Sequence, residues 1–267
     1  MPYGRELEVA LAAAREAGAI LLRHYEQGTE AWNKAEDNPL TLADLESDRA
    51  IAARLQAAFP ADAVLSEETV SDPARASRLR VWIVDPMDGT KEFTLKIPEF
   101  CVSIALCEAG VPVVGVIQNP VAGVSVWAAR GEGCFKDGRR ASVSQVARLE
   151  DAVVIASRTE ISRHKFAAHA GWFKELRPVG SIAWKLACVA TGDGDLNVSL
   201  APKNEWDVAA GDCLLREAGG VYAAFDGTRR SYNQPNPLIE TFMAAGPPTL
   251  VQAFCARENA RLAGVAS

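Results

Sequence analysis

Apolar residues recur at three- and four-residue steps over residues 5–27, where Leu7, Leu11, Ala14, Gly18 and Leu21 share one face of a helix. Residues 29–39 are polar and read as a connector. A second helix is expected from Thr41, with Leu45, Ala52, Leu55 and Phe59 on one face and Pro60 as its stop. Residues 63–65 form a short apolar strand that runs into Ser66-Glu67-Glu68. Residues 81–85 (Val-Trp-Ile-Val-Asp) are of the types that fit a pleated, covered surface. That strand is expected to end at Asp85-Pro86, because proline has no N–H to continue a ladder. Short runs at 101–107, 113–118 and 123–128, separated by Gly110, Asn119-Pro120 and residues 131–133, predict an antiparallel meander.

The second half changes character. Strands are expected at 153–156, 196–200, 221–224 and 241–245, and helices at 160–170, 181–191, 206–218 and 249–262. Alternating α and β elements favour an α/β (α+β) fold in which sheets are covered by helices. No repeat or flexible linker interrupts the chain. The expected division is therefore 1–150 and 151–267, packed as one unit.

A chain of 267 residues can bury a sizeable core, and 49% apolar with 23% charged residues excludes a disordered or fibrous class. The net charge of −6 argues against a nucleic-acid polymer as partner, while leaving small anionic substrates open. Six cysteines without a CxxC pair read as small core residues of a reducing compartment. Arg5, Glu6 and Glu8 stand where a signal peptide would need apolar residues, and no apolar run reaches membrane-spanning length, so no membrane association and a cytoplasmic location are expected.

Five acids sit where strand or helix ends could present them together: Asp44, Glu67, Asp85, Asp88 and Asp207. Each has a plain structural reading. Thr41 to Asp44 and Asn204 to Asp207 both have capping-box spacing, and Glu67-Glu68 could be a solvated loop. The Asp85–Asp88 pair differs because it directly follows a strand that should be buried. Carboxylates about 4 Å apart repel by roughly 4 kcal/mol at an effective dielectric of 20, so a cluster must take up protons or a cation. An all-oxygen donor set selects a hard ion such as Mg²⁺. His24, His164 and His169 lack metal-site spacing, which argues against zinc.

Asp85-Pro86-Met87-Asp88-Gly89-Thr90, the upstream Glu67-Glu68 and the downstream Trp206-Asp207-Val208-Ala209-Ala210-Gly211 together resemble the inositol monophosphatase superfamily of lithium-sensitive phosphatases. The resemblance implies a layered α/β/α/β/α sandwich, the fold shared with fructose-1,6-bisphosphatase. It also implies two or three Mg²⁺ ions held by Glu67, Asp85, Asp88, Asp207 and the Met87 carbonyl. Asp44 and Thr90, with Glu67, would orient and activate the attacking water. The amides of Gly89 and Thr90 at a helix start would hold the phosphate, with Lys91 beside them. A homodimer is left open.

Lys91-Glu92-Phe93, Ser66-Glu67-Glu68 and the run from Asn38 to Asp44 further resemble the CysQ-type 3′(2′),5′-bisphosphate nucleotidases. Inositol phosphatases commonly place an acid seven residues before the last metal Asp. Here that position is Leu200, which cannot accept a hydrogen bond from a hydroxyl. The expected substrate is accordingly 3′-phosphoadenosine 5′-phosphate, with inositol 1-phosphate or a broader range of small phosphorylated metabolites as the alternative. Arg158, Lys185 and Lys203 are candidates for a second phosphate, and Ser181 could touch substrate or cap its helix. Three rival classes fit less well. A haloacid-dehalogenase-type phosphatase uses Asp-x-Asp rather than Asp-x-x-Asp, a glycosidase lacks a sugar-binding aromatic platform, and a non-catalytic relative would not need every acid.

Overall fold

A computed structural model describes residues 2–35, 38–69 and 72–264. Helix α1 (Gly4–Gln27) buries the face carrying Leu7, Ala14, Gly18 and Leu21, as its periodicity requires. The expected connector instead forms a small antiparallel hairpin, β1 (Ala31–Ala35) with β2 (Asn38–Thr41). Helix α2 (Leu42–Ala58) follows, started by a capping box between Thr41 and Asp44. Its inward face differs from expectation. Leu45 and Ala52 are only half-buried, whereas Asp44, Ser47, Asp48, Ile51 and Leu55 are buried. Three polar residues at i, i+3 and i+4 occupy the stripe that core residues would normally take.

The first large sheet comprises β3 (Ala63–Ser66), β4 (Arg80–Asp88), β5 (Cys101–Glu108), β6 (Val111–Asn119), β7 (Val124–Ala129), β8 (Gly133–Lys136) and β9 (Arg139–Ala141), in that spatial order. A short helix, α3 (Thr90–Thr94), follows β4. Strand β3 pairs parallel to β4, and every later pairing is antiparallel, so the meander reading holds. In β4, Trp82 and Val84 pack towards α1 and α2, while Val81 and Ile83 pack towards the helices on the other face.

The second sheet is built from β10 (Val153–Ser157), β11 (Glu175–Val179), β12 (Leu196–Ser199), β14 (Val221–Ala224) and β16 (Met243–Gly246), reached through β13 (Lys203–Asn204) and β15 (Leu238–Ile239), which pair with each other. The strand order is β11-β10-β12-β16-β14, parallel across β11, β10 and β12 and antiparallel beyond. Its helices are α4 (Arg158–Ser162), α5 (Ile182–Ala190), α6 (Glu205–Glu217) and α7 (Pro248–Leu262). The helix expected over 160–170 shrinks to α4 and a single 3-10 turn at Ala167–His169. Between them His164 takes a left-handed conformation (φ 57°) that no α-helix continues through. Strand β11 has no counterpart in the sequence reading.

Helices α5 and α6 lie between the two sheets, α1 and α2 cover the outer face of the first, and α7 covers the outer face of the second. The result is the expected α/β/α/β/α sandwich. Close approach of α6 to β6 requires Gly115, where a Cβ would meet the Ala210 carbonyl oxygen at 2.7 Å.

Candidate active site

Strand β4 does not stop at Pro86. Its pairing with β5 shifts register between Asp85, opposite Ser103, and Asp88, opposite Cys101. Three residues on β4 thus span what two span on β5, which makes a β-bulge, and Pro86 sits where no ladder N–H is demanded. The bulge has a consequence for chemistry. Side chains alternate along a strand, so residues 85 and 88 would otherwise face opposite sides. Residues 101 and 103 share a face, and the extra residue brings Asp85 and Asp88 to that same face, between the sheets. The Asp85 carboxylate also accepts the Met87 N–H (3.0 Å), one of the amides released by the bulge.

Two further acids arrive from other elements. Glu67 leaves the end of β3 with its N–H donating to the Val84 carbonyl (3.3 Å). Asp207 comes on the first turn of α6, where it accepts the Asn204 N–H (2.7 Å) in a capping box, so it has the expected capping role. Carboxylate oxygens of Glu67, Asp85 and Asp207 all lie within 4.8 Å of one another. Asp88 stands beside them, and its Oδ2 accepts the Ser181 hydroxyl and the Ala183 N–H, both at 2.5 Å. Ser181 does cap α5, taking the Trp184 N–H at 3.0 Å, and it holds Asp88 at the same time.

The electrostatics follow from this crowding. Burial, reinforced by Glu67, Asp88 and Asp207, holds Asp85 well above the usual carboxylate range. Burial and then Asp88 and Glu67 do the same to Asp207. Burial raises Asp88 as well, against the opposing pull of its Ser181 hydrogen bond and of Lys185. Unit charges at such separations repel by roughly 3 kcal/mol per pair. The donor set, all oxygen and crowded with like charge, therefore fits a hard divalent cation, and Glu67, Asp85, Asp88 and Asp207 are the residues that could hold one.

Behind this cluster, the Thr90 hydroxyl lies 3.1 Å from both Asp44 Oδ1 and the Met87 carbonyl oxygen. Asp44 Oδ2 accepts from the Thr41 N–H and hydroxyl, each at 2.7 Å. Burial pushes the Asp44 carboxyl up to about 6 despite these bonds. Gly89 turns the chain between bulge and helix with φ 99°, and a Cβ there would stand 2.9 Å from the Glu99 carbonyl oxygen.

The acids open into a cleft of about 450 Å³. Gly89, Thr90, Lys91, Ser181, Lys185 and Lys203 line it, and Asp44 lies behind Thr90, outside the lining. Arg158 does not line it. Its guanidinium turns to Glu99 (2.8 Å), so the expectation that it faces a second phosphate is corrected. Lys185 is buried and gives hydrogen bonds to the Ser181 (2.9 Å) and Val179 (3.4 Å) carbonyls, and burial lowers its pKa. Leu200 is packed in the outer core of the second sheet rather than in the cleft wall. The cleft also includes Glu92, Ser157, Thr159, Gly180, Ile182 and Pro202. Of these, Ser157 and Thr159 were findable, since they stand at the C-terminal end of an expected strand, where open α/β sheets bind ligands.

Fold and site together define a phosphatase-type scaffold, and the chain belongs to the inositol monophosphatase family, whose sequence model matches residues 5–258. It is 31% identical to Nus factor SuhB of Escherichia coli over 94% of each chain. It is 37% identical to the inositol-1-monophosphatase of Mesorhizobium japonicum over 83% of this chain and 86% of that one. Among solved structures, the IMPase of Thermotoga maritima superposes with a TM-score of 0.85 at 26% identity, covering 98% of this chain and all of that one. These relatives bear the SuhB and inositol monophosphatase names and lend no support to the expected CysQ-type assignment. Among the described residues, no helix is long and apolar enough to cross a membrane.

Proposed function

We propose that this protein is a Mg²⁺-dependent phosphomonoesterase acting on the monophosphate of a small polyol, with inositol 1-phosphate as its reference substrate. The observation that carries the reading is the convergence of Glu67, Asp85 and Asp207 within 4.8 Å beside the Thr90–Asp44 pair. Phosphate monoester hydrolysis demands charge stabilisation and positioning above all else. A bound Mg²⁺ would supply Lewis-acid stabilisation of the phosphoryl oxygens and the leaving group. Glu67, Asp85, Asp88, Asp207 and the Met87 carbonyl are the groups to hold it.

The chain's own residues account for the rest. Thr90 Oγ1 donates to Asp44 Oδ1, which leaves its lone pairs towards the cleft to accept a hydrogen from the attacking water. As that water is deprotonated, the proton passes to Thr90 Oγ1 while the Thr90 proton moves to Asp44 Oδ1. The raised basicity of buried Asp44 favours that transfer. The Gly89 and Thr90 amides and Lys91 hold the phosphate. Glu92, Ser157 and Thr159 offer acceptors and hydroxyls to a polyol.

A second reading retains the 3′-phosphoadenosine 5′-phosphate hypothesis, and Lys203, which lines the same cleft as Lys91, favours it. It is weakened because Arg158 is engaged elsewhere and Lys185 is tied to carbonyls. The negative net charge supports a small metabolite over a nucleic-acid polymer as partner. The deciding experiment is phosphate release from inositol 1-phosphate, 3′-phosphoadenosine 5′-phosphate and a sugar phosphate, with and without Mg²⁺. A tenfold or greater preference for the nucleotide overturns the polyol reading, and release unaffected by chelator overturns the mechanism.

A further inference from the structure

The polar stripe of α2 grips three different segments of the site. Asp44 accepts from Thr90, the Ser47 hydroxyl donates to the Pro86 carbonyl (3.1 Å) within the bulge, and Asp48 reaches the segment that carries Glu67. The first two contacts fall on residues already assigned to the site. The third has no role in the reading above.

Asp48 is only 6% exposed and makes no ion pair among the described residues. A buried carboxylate without a cation is costly unless both oxygens are hydrogen-bonded. Here both are: Oδ1 accepts the Ser66 hydroxyl (2.5 Å) and Oδ2 accepts the Thr69 hydroxyl (2.6 Å). Those two donors bracket Glu67 at the preceding and the second following position. The ladder ends at this point: the β3–β4 register closes at Ser66 opposite Val84, and the Glu67 N–H reaches the Val84 carbonyl at 3.3 Å. Strand β3 is also an edge strand, and among the described residues nothing pairs with it on its other side. The segment that carries Glu67 is thus held from α2 on both sides of that residue.

We propose that Asp48 is a positioning residue that holds the segment from Ser66 to Thr69 so that Glu67 points at Asp85 and Asp207, and that it thereby sets affinity for the divalent cation. The inference rests on Glu67 being a metal carboxylate. A carboxylate suits the task because it takes two hydroxyl protons at once, and bonds to an ionised acceptor are roughly twice as strong as neutral ones. Residues that orient a metal's ligands typically change its affinity by roughly 10- to 100-fold when removed.

The test is substrate-free metal binding by the full chain, with calorimetric titration of Mg²⁺ and electron paramagnetic resonance of Mn²⁺. Glu67→Gln and Asp48→Ala are each expected to weaken binding about tenfold or more. Asp48→Asn keeps both links at neutral strength, through one accepted and one donated hydrogen bond, and is expected to lose only about threefold. Should Asp48→Ala fold poorly, Ser66→Ala and Thr69→Val break the same links from the other side and are each expected to weaken binding severalfold. Binding within twofold of wild type in Asp48→Ala, or in both hydroxyl variants, while Glu67→Gln loses it overturns the inference and leaves the metal site standing. Equal binding by wild type and Glu67→Gln overturns the reading beneath it.

Discussion

Helix α6 carries three acids in eight residues, and they meet different fates. Glu205 is fully buried and accepts from Arg230 (2.7 Å) and from the amides of Asn233 (2.7 Å) and Gln234 (3.2 Å). Asp212, one to two turns on, is 1% exposed and is held by Arg216 (2.8 Å) and the Tyr232 hydroxyl (3.1 Å). Asp207 lies between them and makes no ion pair among the described residues. It faces Glu67, Asp85 and Asp88. The same carboxylate chemistry on one helix is therefore answered by a guanidinium at Glu205 and Asp212, and met by other carboxylates at Asp207, where a cation would relieve the repulsion. Burial alone does not distinguish the two; the sign of the neighbours does.

That contrast can be broken most sharply by neutralising each acid. Asp207→Asn keeps the cap's acceptor oxygen and removes the charge. It is expected to cost activity by roughly two to three orders of magnitude and to raise the melting temperature in chelator, because repulsion is relieved. A melting temperature that falls in chelator would refute the repulsive reading of the cluster. Asp212→Ala should do the reverse, lowering stability by about 3 kcal/mol by leaving Arg216 without its partner; urea denaturation measures it.

Smaller effects refine the comparison. Mg²⁺ at about 100 times its dissociation constant should stabilise the wild type by about 2.7 kcal/mol, and Asp207→Asn by much less. Equal shifts in the two proteins would place the ion elsewhere. The smallest effect concerns a third buried charge centre. His169 bonds Glu258 (3.1 Å), which also pairs with Arg261 (2.7 Å), under Phe166, Trp172 and Phe254. Burial lowers the His169 pKa from its ordinary 6.5, against the pull of Glu258. A depressed folded-state value means that this stability is complete above pH 6.5 and is lost as pH falls below it. Unfolding free energy should thus decline from pH 7 towards 5.5 in the wild type, and more gently in His169→Leu.

Much of this architecture was legible in the sequence, because periodicity reports which residues are buried. The helix over residues 5–27, the meander and α6 all followed from it. Where polar residues took buried positions, periodicity misled: the inward face of α2 was read from Leu45, Ala52, Leu55 and Phe59, while Asp44, Ser47 and Asp48 occupied it. The acids themselves were findable, since strand ends and capping positions mark them. Their mutual distances were not, because those depend on packing between elements remote in sequence. Arg158 shows the same limit. Its residue type suits a phosphate, but Glu99 lay close enough to claim it.

The bulge between Asp85 and Asp88 makes the site sensitive to counting as well as to composition. Replacing Pro86 should matter little as long as the number of residues stays fixed, whereas inserting one further residue beside it, with the single bulge kept, would rotate Asp88 to the opposite side of the sheet, among the side chains beneath α1. Length at this one place is therefore under tighter constraint than identity. A relative that had gained one residue there could keep every acid of the motif and still have no place to gather them.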